Sequence, residues 1–395
     1  MTAPEIRLTP STARALRCRA QLLTAAAASE TPVAAARHML ALQAQNANAA
    51  RWALGARVHG GVRSAVEDAL SDGTIVRTWP MRGTHHLMAA EDVNWLTRLC
   101  AGRSRSGVEK RREELGLTLD DVLRAGAVVA ENTLEPGLLP EEVAEGAVAL
   151  PSGRGRPDGA VALSRDGVRE LLRGAGIDAD GNRGTHMMRF LCEERILVQG
   201  PQQGTRDTFT AYEAWVPADG ATAARDTGPE GDEALRELVV RHVTGRGPAT
   251  VADVAWWSGL TMAEVRRGLA AAGDTVVRVD VDGAEHLVTA AALDGAGGSA
   301  RPPRNARLLA AFDEYLMGYK NRGLVLDPAH GPAVGPGKNG MVAPTVLAGG
   351  RIVATWNEKK RAAGPAVDVA ELAETPDGPP GIGKAVDEYR AFAVG

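Results

Sequence analysis

The chain has 395 residues, 44% of them hydrophobic and 24% charged, with a formal net charge of -4 at pH 7. Such a length outgrows a single hydrophobic core and predicts two to four domains, and aromatics at only 4% exclude a lectin-like or RNA-stacking surface built on Tyr and Phe. Cys18, Cys100 and Cys192 are far apart and odd in number, which argues against a disulfide framework and a Cys-rich zinc site. With no signal-peptide-like apolar run and no window of about 18 apolar residues, the sequence predicts a soluble, cytoplasmic protein with no membrane partner.

Taken in chain order, Thr31 and Pro32 supply a cap and a first turn for a helix over "VAAARHMLALQ". "VRSAVEDALSDG" reads as a second helix closed by Gly73, and "TIVRTWPMRGTHHLM" alternates like a hairpin bent at Pro80 to Gly83. The arrangement returns in "SRDGVRELLRGAG" followed by a helix ending near Glu194, a strand, a Gly/Pro/Gln turn and another strand. It returns again in "ATVADVAWWSGLTMAEVRRGLAAAG", where Thr caps, a turn at Gly259 and a stop at Gly273 spell a helix-turn-helix. The following hairpin turns at Asp282-Gly283, a type I′ signal. Beyond the linker "DGAGGSARPPRN" come "ARLLAAFDEYLMGYK", the Gly/Pro-rich loop "DPAHGPAVGPGKNG", a hairpin around Gly349-Gly350 and a closing amphipathic helix "AVDEYRAFAVG".

Helices followed by a short hairpin are the layout of a winged helix. The predicted fold class is α+β, mainly helical, with tandem winged-helix units over residues 1–115, 116–220 and 221–295 and an α+β segment with its own hairpin over 296–395.

Candidate chemistry is sparse. His85 and His86 are neighbours in a predicted strand and point to opposite faces, so they cannot share a metal; the pattern predicts one packed and one solvated. No His-Glu-x-x-His helix, Gly-rich phosphate loop or Gly-x-Ser-x-Gly elbow is present, and no metal or cofactor is expected. Asp313 and Glu314, beside Tyr315 and ahead of Lys320 and Arg322, read as an internal ion-pair network, with a catalytic role as the alternative. "RLCAGRSRSGVEKRR", with Arg98, Arg103, Arg105, Lys110, Arg111 and Arg112, reads by itself as a solvated helix face.

Gln43 and Gln45 pose a geometric question. In an unbroken helix their amides stand about 200° apart and cannot converge. In an extended or turn-like backbone at Ala44, residues two apart face the same way and can share a ligand. Composition alone favours the end of a helix.

"LALQAQ", "TWPMRGTHHLM", "VADVAWWSGL" and "FDEYLMGYKNR…VLAGGRIVATW", in that order and over nearly the whole chain, resemble the bacterial winged-helix DNA glycosylases related to AlkZ. The resemblance implies three tandem winged helices on a C-shaped scaffold. It also implies hydrolysis of the N-glycosidic bond of bulky N7-alkylguanine adducts, interstrand crosslinks included. The family's catalytic Gln-aliphatic-Gln motif falls on Gln43, Ala44 and Gln45, with Ala44 smaller than the usual middle residue. A sister branch, resembling YcaQ, has Asp in the third position; Gln45 favours the branch associated with antibiotic self-resistance.

On this resemblance the partner is duplex DNA carrying alkylated guanine, bound by a monomer. Arg77, Arg82, His86, Arg103, Arg105, Lys110, Arg322, Lys338 and Asn339 become candidate DNA contacts, and the "RPPRNAR" segment from Arg301 to Arg307 gains a phosphate-neutralising role. The absence of a catalytic-looking lysine implies a monofunctional enzyme that does not nick the strand. The alternative is a non-enzymatic tandem winged-helix regulator, which would need a recognition helix; "MAEVRRGLAAAG" offers only Arg266 and Arg267. A drug-sequestering pocket is a third reading, disfavoured by the scarcity of aromatics.

Overall fold

The helix-turn-helix forms as its caps dictate. Thr250 Oγ1 accepts the Asp253 N–H (3.0 Å) while the Asp253 carboxylate accepts the Thr250 N–H (2.8 Å), a capping box at the start of Val251–Ser258. Gly259 ends that helix in the left-handed region at φ 77°, and Thr261 with Glu264 builds a second box for Met262–Ala272. The preceding helix, Gly231–Arg246, lies close enough that a Cβ on Gly268 would stand 2.4 Å from Leu235 O, so glycine there sets the approach. Strands Val276–Val281 and Ala284–Thr289 then pair antiparallel around Asp282 and Gly283, both at positive φ as a type I′ turn requires. Ile6–Leu8 joins this hairpin in parallel.

The computed structural model describes residues 6–216, 228–295, 300–336, 340–361, 364–373 and 378–395, with the backbone alone described at 103–107, 360–361 and 364–365. These residues pack as two units, Met1–Glu67 with Gly231–Gly395, and Asp68–Glu230. The overall class is α+β, as read from the sequence.

The first unit also holds a four-stranded antiparallel sheet, in chain order Arg307–Leu309, Thr345–Ala348, Arg351–Arg361 and Gly364–Glu371. Its central turn is the Gly349-Gly350 pair, both at positive φ. Helix Ile382–Val394 packs Tyr389 and Phe392 against Trp52, each ring about 5.1 Å away. A core of Leu23, Leu309, Tyr315, Leu316, Val325 and Leu347 fills the space beneath this sheet.

In the second unit, hairpin Ile75–Met81 with Thr84–Ala89 turns at Arg82-Gly83. Helices Leu119–Leu134, Arg165–Gly174 and Asn182–Glu193 pack with a four-stranded sheet ordered Val148–Ala149, Val161–Ser164, Thr208–Ala211, Leu197–Gln199. Val122, Val129, Leu172, Met187, Leu191 and Phe209 form its core. All three cysteines are free and buried.

Candidate active site

The helix carrying "VAAARHM" opens as expected, with Thr31 Oγ1 accepting the Ala34 N–H (3.1 Å) and Pro32 in the first turn. It stops at Met39 instead of running through Gln43. Leu40 takes φ 62° and ψ -53°, and the Ala41 N–H donates to Met39 O at 2.7 Å. This closes a γ-turn of the positive-φ kind, which for a leucine stores strain of order 1–3 kcal/mol. Leu42–Gln43 is extended, and Asn46 then caps Ala47–Gly55 by accepting the Ala49 N–H at 3.0 Å. Both amides therefore sit on a connector between helices, which removes the separation an unbroken helix would impose. Gln43 is 7% exposed, while Gln45, in a bend, is exposed.

Beneath the connector lies a buried polar network. Glu314 Oε1 accepts the Gln43 backbone N–H (3.0 Å), and Glu314 Oε2 accepts from Arg246 Nη2 (2.7 Å), Arg246 Nε (3.0 Å) and Trp257 Nε1 (3.0 Å). Arg246 also donates to Met39 O (2.9 Å) and Ala41 O (2.7 Å). Next to this pair, Arg57 grips Asp313 through two parallel bonds of 3.0 and 2.8 Å and donates to Gln21 Oε1 (2.8 Å). Burial disfavours the Arg57 charge, but Asp313 and Glu314 outweigh it and hold its pKa above the ordinary value. Gln21 Nε2 reaches Glu314 O and Tyr319 Oη, and Tyr319 donates to Arg246 O at 2.7 Å. The internal ion-pair reading of Asp313 and Glu314 is thus what the structure holds. Their partners Arg57 and Arg246, and Trp257, were not singled out in the sequence.

Within this shell two buried atoms have no hydrogen-bond partner in the protein, the donor Arg57 Nε and the acceptor Gln43 Oε1, and of the two only Gln43 Oε1 belongs to the connector. A buried, unmatched acceptor costs about 1–3 kcal/mol. The arrangement offers an acceptor, already desolvated, on a connector held from below.

A profile of the DNA glycosylase AlkZ-like family matches residues 36–392. The chain belongs to the AlkZ-like family of DNA glycosylases. As such it is a hydrolase acting on N-glycosyl bonds, and the non-enzymatic regulator is set aside. It is 27% identical over 303 residues to an interstrand DNA cross-link repair glycosylase of Streptomyces sahachiroi, covering 74% of this chain and 73% of that one. The solved structure of the Streptomyces sahachiroi DNA glycosylase AlkZ matches with a TM-score of 0.75, 22% identity and 98% of both chains covered, a likeness of fold. The AlkZ-like match takes in Gln43, Ala44 and Gln45 and the whole buried network except Gln21.

The candidate DNA contacts fare unevenly in this AlkZ-like chain. In the second unit, Arg77 donates to Asp207 at 2.7 Å and is mostly buried, so its charge is compensated internally. Arg82 is half-buried at the hairpin turn. His86 is fully buried with Nδ1 3.0 Å from Thr84 O. His85 is buried too, its ring centroid 3.8 Å from that of Trp79 and tilted by 39°, and burial, with Arg77 and His86 adding, pushes its pKa down to about 2. The expectation that one of the two histidines is solvated fails because both faces of the hairpin are covered. Lys110 is exposed on Arg105–Glu114; the side chains of Arg103 and Arg105 lie outside the described residues, as do Lys338 and Asn339 altogether. In the first unit, Arg322 spends its donors on Leu316 O, Gly335 O and Met317 Sδ, tying down its own loop. Arg301 and Arg304 are exposed. No described helix is long and apolar enough to cross a membrane.

Proposed function

We propose that this AlkZ-like enzyme repairs interstrand crosslinks and related bulky adducts by hydrolysing the N-glycosidic bond of cationic N7-alkylguanine, with Gln43 and Gln45 handling the attacking water. The observation that carries the reading is the buried Gln43 Oε1 without a protein donor, in the segment where the family's Gln-aliphatic-Gln motif falls. A water molecule is a donor that fits such an acceptor.

The chemistry suits amides. N7-alkylation gives the base a positive charge, so the C1′–N9 bond breaks with its electron pair passing to N9, and the base leaves neutral without protonation. The sugar becomes oxocarbenium-like, water oxygen bonds to C1′, and the water proton is lost to solvent. What the protein must supply is placement of that water and an oxygen dipole near the developing cation, a service worth many kcal/mol. Amide oxygens provide both without ionising. A nucleotide with an uncharged base lacks the good leaving group, and the enzyme is expected to leave it intact.

Gln45 in the third motif position, in place of Asp, supports a role in resistance to a DNA-crosslinking antibiotic. Phosphate contacts are assigned to exposed cations, Arg301 and Arg304 in the first unit and Lys110 in the second. The test is single-turnover release of N7-methylguanine and of a bulky N7-guanine adduct from duplex DNA by the native protein, Gln43→Ala and Gln45→Ala, at concentrations where all three bind. Release that collapses in both variants supports the reading; native-like release by both removes the glutamines from the chemistry.

A further inference from the structure

The Gln43 connector begins with a turn that leucine adopts only under strain, and one buried ion pair holds it on both sides. Arg246 reaches the carbonyls that flank Leu40, Met39 O at 2.9 Å and Ala41 O at 2.7 Å. Its salt-bridge partner Glu314 takes the N–H of Gln43 itself at 3.0 Å, two residues beyond the turn. The Arg246 guanidinium makes four bonds from one rigid planar fork, two to the carboxylate and two to carbonyls, more than the three freely rotating donors of a lysine ammonium can make. Trp257 pins the far oxygen of Glu314 and lies 4.3 Å beneath the Arg246 guanidinium. Gly318 leaves the room: a Cβ there would fall 3.0 Å from Arg246 Cδ. Arg246 and Glu314 hold the connector through its backbone, at Met39 O, Ala41 O and the Gln43 N–H, so the pair fixes where the Gln43 amide is presented.

A buried ion pair is poor at stabilising a fold compared with apolar residues of the same volume. Its retention beneath a strained turn calls for another reason, and the bonding pattern supplies one. We infer that Arg246 and Glu314 are positioning residues for Gln43, clamping the γ-turn at Leu40 so that the Gln43 amide is set before substrate arrives. This rests on the reading of Gln43 as the water-handling residue.

The decisive variant is Arg246→Lys, which keeps a cation for Glu314 but loses the fork. Three quantities are measured: single-turnover release of N7-methylguanine at saturating enzyme, the dissociation constant for the same duplex, and hydrogen–deuterium exchange of the 40–43 backbone amides in the free protein. The expected result is release slowed at least ten-fold, DNA binding within two-fold of native, and faster exchange at 40–43. Trp257→Phe, which removes one donor to Glu314 and spares both clamps, should give a smaller loss in the same direction and serves if Arg246→Lys does not fold. Val129→Ala, in the core of the second unit, should lower the melting temperature and leave release at the native rate; if Arg246 acted only through stability, this variant would lose release as well. Native-like release in Arg246→Lys overturns the inference, whether or not exchange changes. If the native protein itself releases no base, the reading of Gln43 fails separately, and unchanged exchange at 40–43 would then sink the clamp as well.

Discussion

Replacing Gln43 by methionine should make the protein more stable and the enzyme far worse. Methionine nearly matches glutamine in volume and fills irregular spaces, so the core around position 43 stays full. What disappears is the buried Oε1 that finds no donor in the protein. In the free protein, before the reacting water is taken up with the substrate, leaving such an acceptor unmatched costs about 1–3 kcal/mol, and removing it recovers that amount less whatever the amide nitrogen contributes. For a unit of this size 1 kcal/mol shifts the melting temperature by roughly 2–4 °C, so Gln43→Met should melt about 2–6 °C higher. Loss of a preorganised polar group at a reacting centre costs about 10²–10³ in rate, and single-turnover release of N7-methylguanine should fall by that factor with duplex affinity unchanged. Calorimetry or a dye melt gives the first number and quench-flow gives the second. A variant that melts several degrees lower and excises within three-fold of native would show that Gln43 is an ordinary packing residue, and the site would have to be sought elsewhere.

Two further outcomes follow from charge. Burial lowers the pKa of His242 well below its ordinary value and that of His85 to about 2, whereas both take up a proton near pH 6.5 when unfolded. Below that pH the unfolded chain binds more protons, so stability is complete above about pH 6.5 and is lost as the pH falls toward 2, by up to ~1.4 kcal/mol per pH unit for each histidine. Urea midpoints at pH 7.5, 6.5 and 5.5 should be flat across the first interval and drop across the second; equal midpoints at all three would refute the assignment. Arg301→Ala and Arg304→Ala should each reduce the slope of log affinity against log salt by roughly 1. Arg77→Ala should instead destabilise the second unit, because it leaves the partly buried Asp207 with only Gln202 and the more distant Arg165, and leave the salt slope unchanged; a lower slope in Arg77→Ala and none in the other two would reverse the assignment.

What the sequence announced was whatever a short window contains. The Thr caps at 250 and 261, the turn at Gly259 and the Asp282-Gly283 turn each act over four residues or fewer, and every one does in the structure what its residue type prescribes. The end of the helix at Met39 was not announced, because no glycine or proline marks it: the chain turns at a leucine, an arrangement local propensity opposes and Arg246, far along the chain, enforces. Asp313 and Glu314 could be suspected of pairing from their place in an apolar run, but the identity of their partners is a fact about tertiary contacts. The phosphate-contact assignments suffered from the same blindness. An arginine in a hairpin looks available until Asp207 is seen to hold it, and a histidine pair in a strand looks half-solvated until both faces of the strand prove covered.

The way the charges near Gln43 are disposed argues that the enzyme was built to act without a base. Arg57 faces Asp313 and Arg246 faces Glu314, each pair fully buried, so these four residues present no net charge to the cationic substrate proposed above. The pH dependence of excision should then be flat from about pH 6.5 to 9, since amides do not titrate. Gln43→Glu makes this exacting. A carboxyl at a position 7% exposed loses hydration on ionising, which raises its pKa above the ordinary glutamate value. Below that raised value a neutral acid would hold water no better than the amide, and above it a carboxylate would draw on the water proton more strongly. Excision by Gln43→Glu should therefore climb with pH and level off, with a midpoint above about 4.3. A profile as flat as that of the native enzyme would mean that position 43 does not touch the reacting water, however well its connector is held.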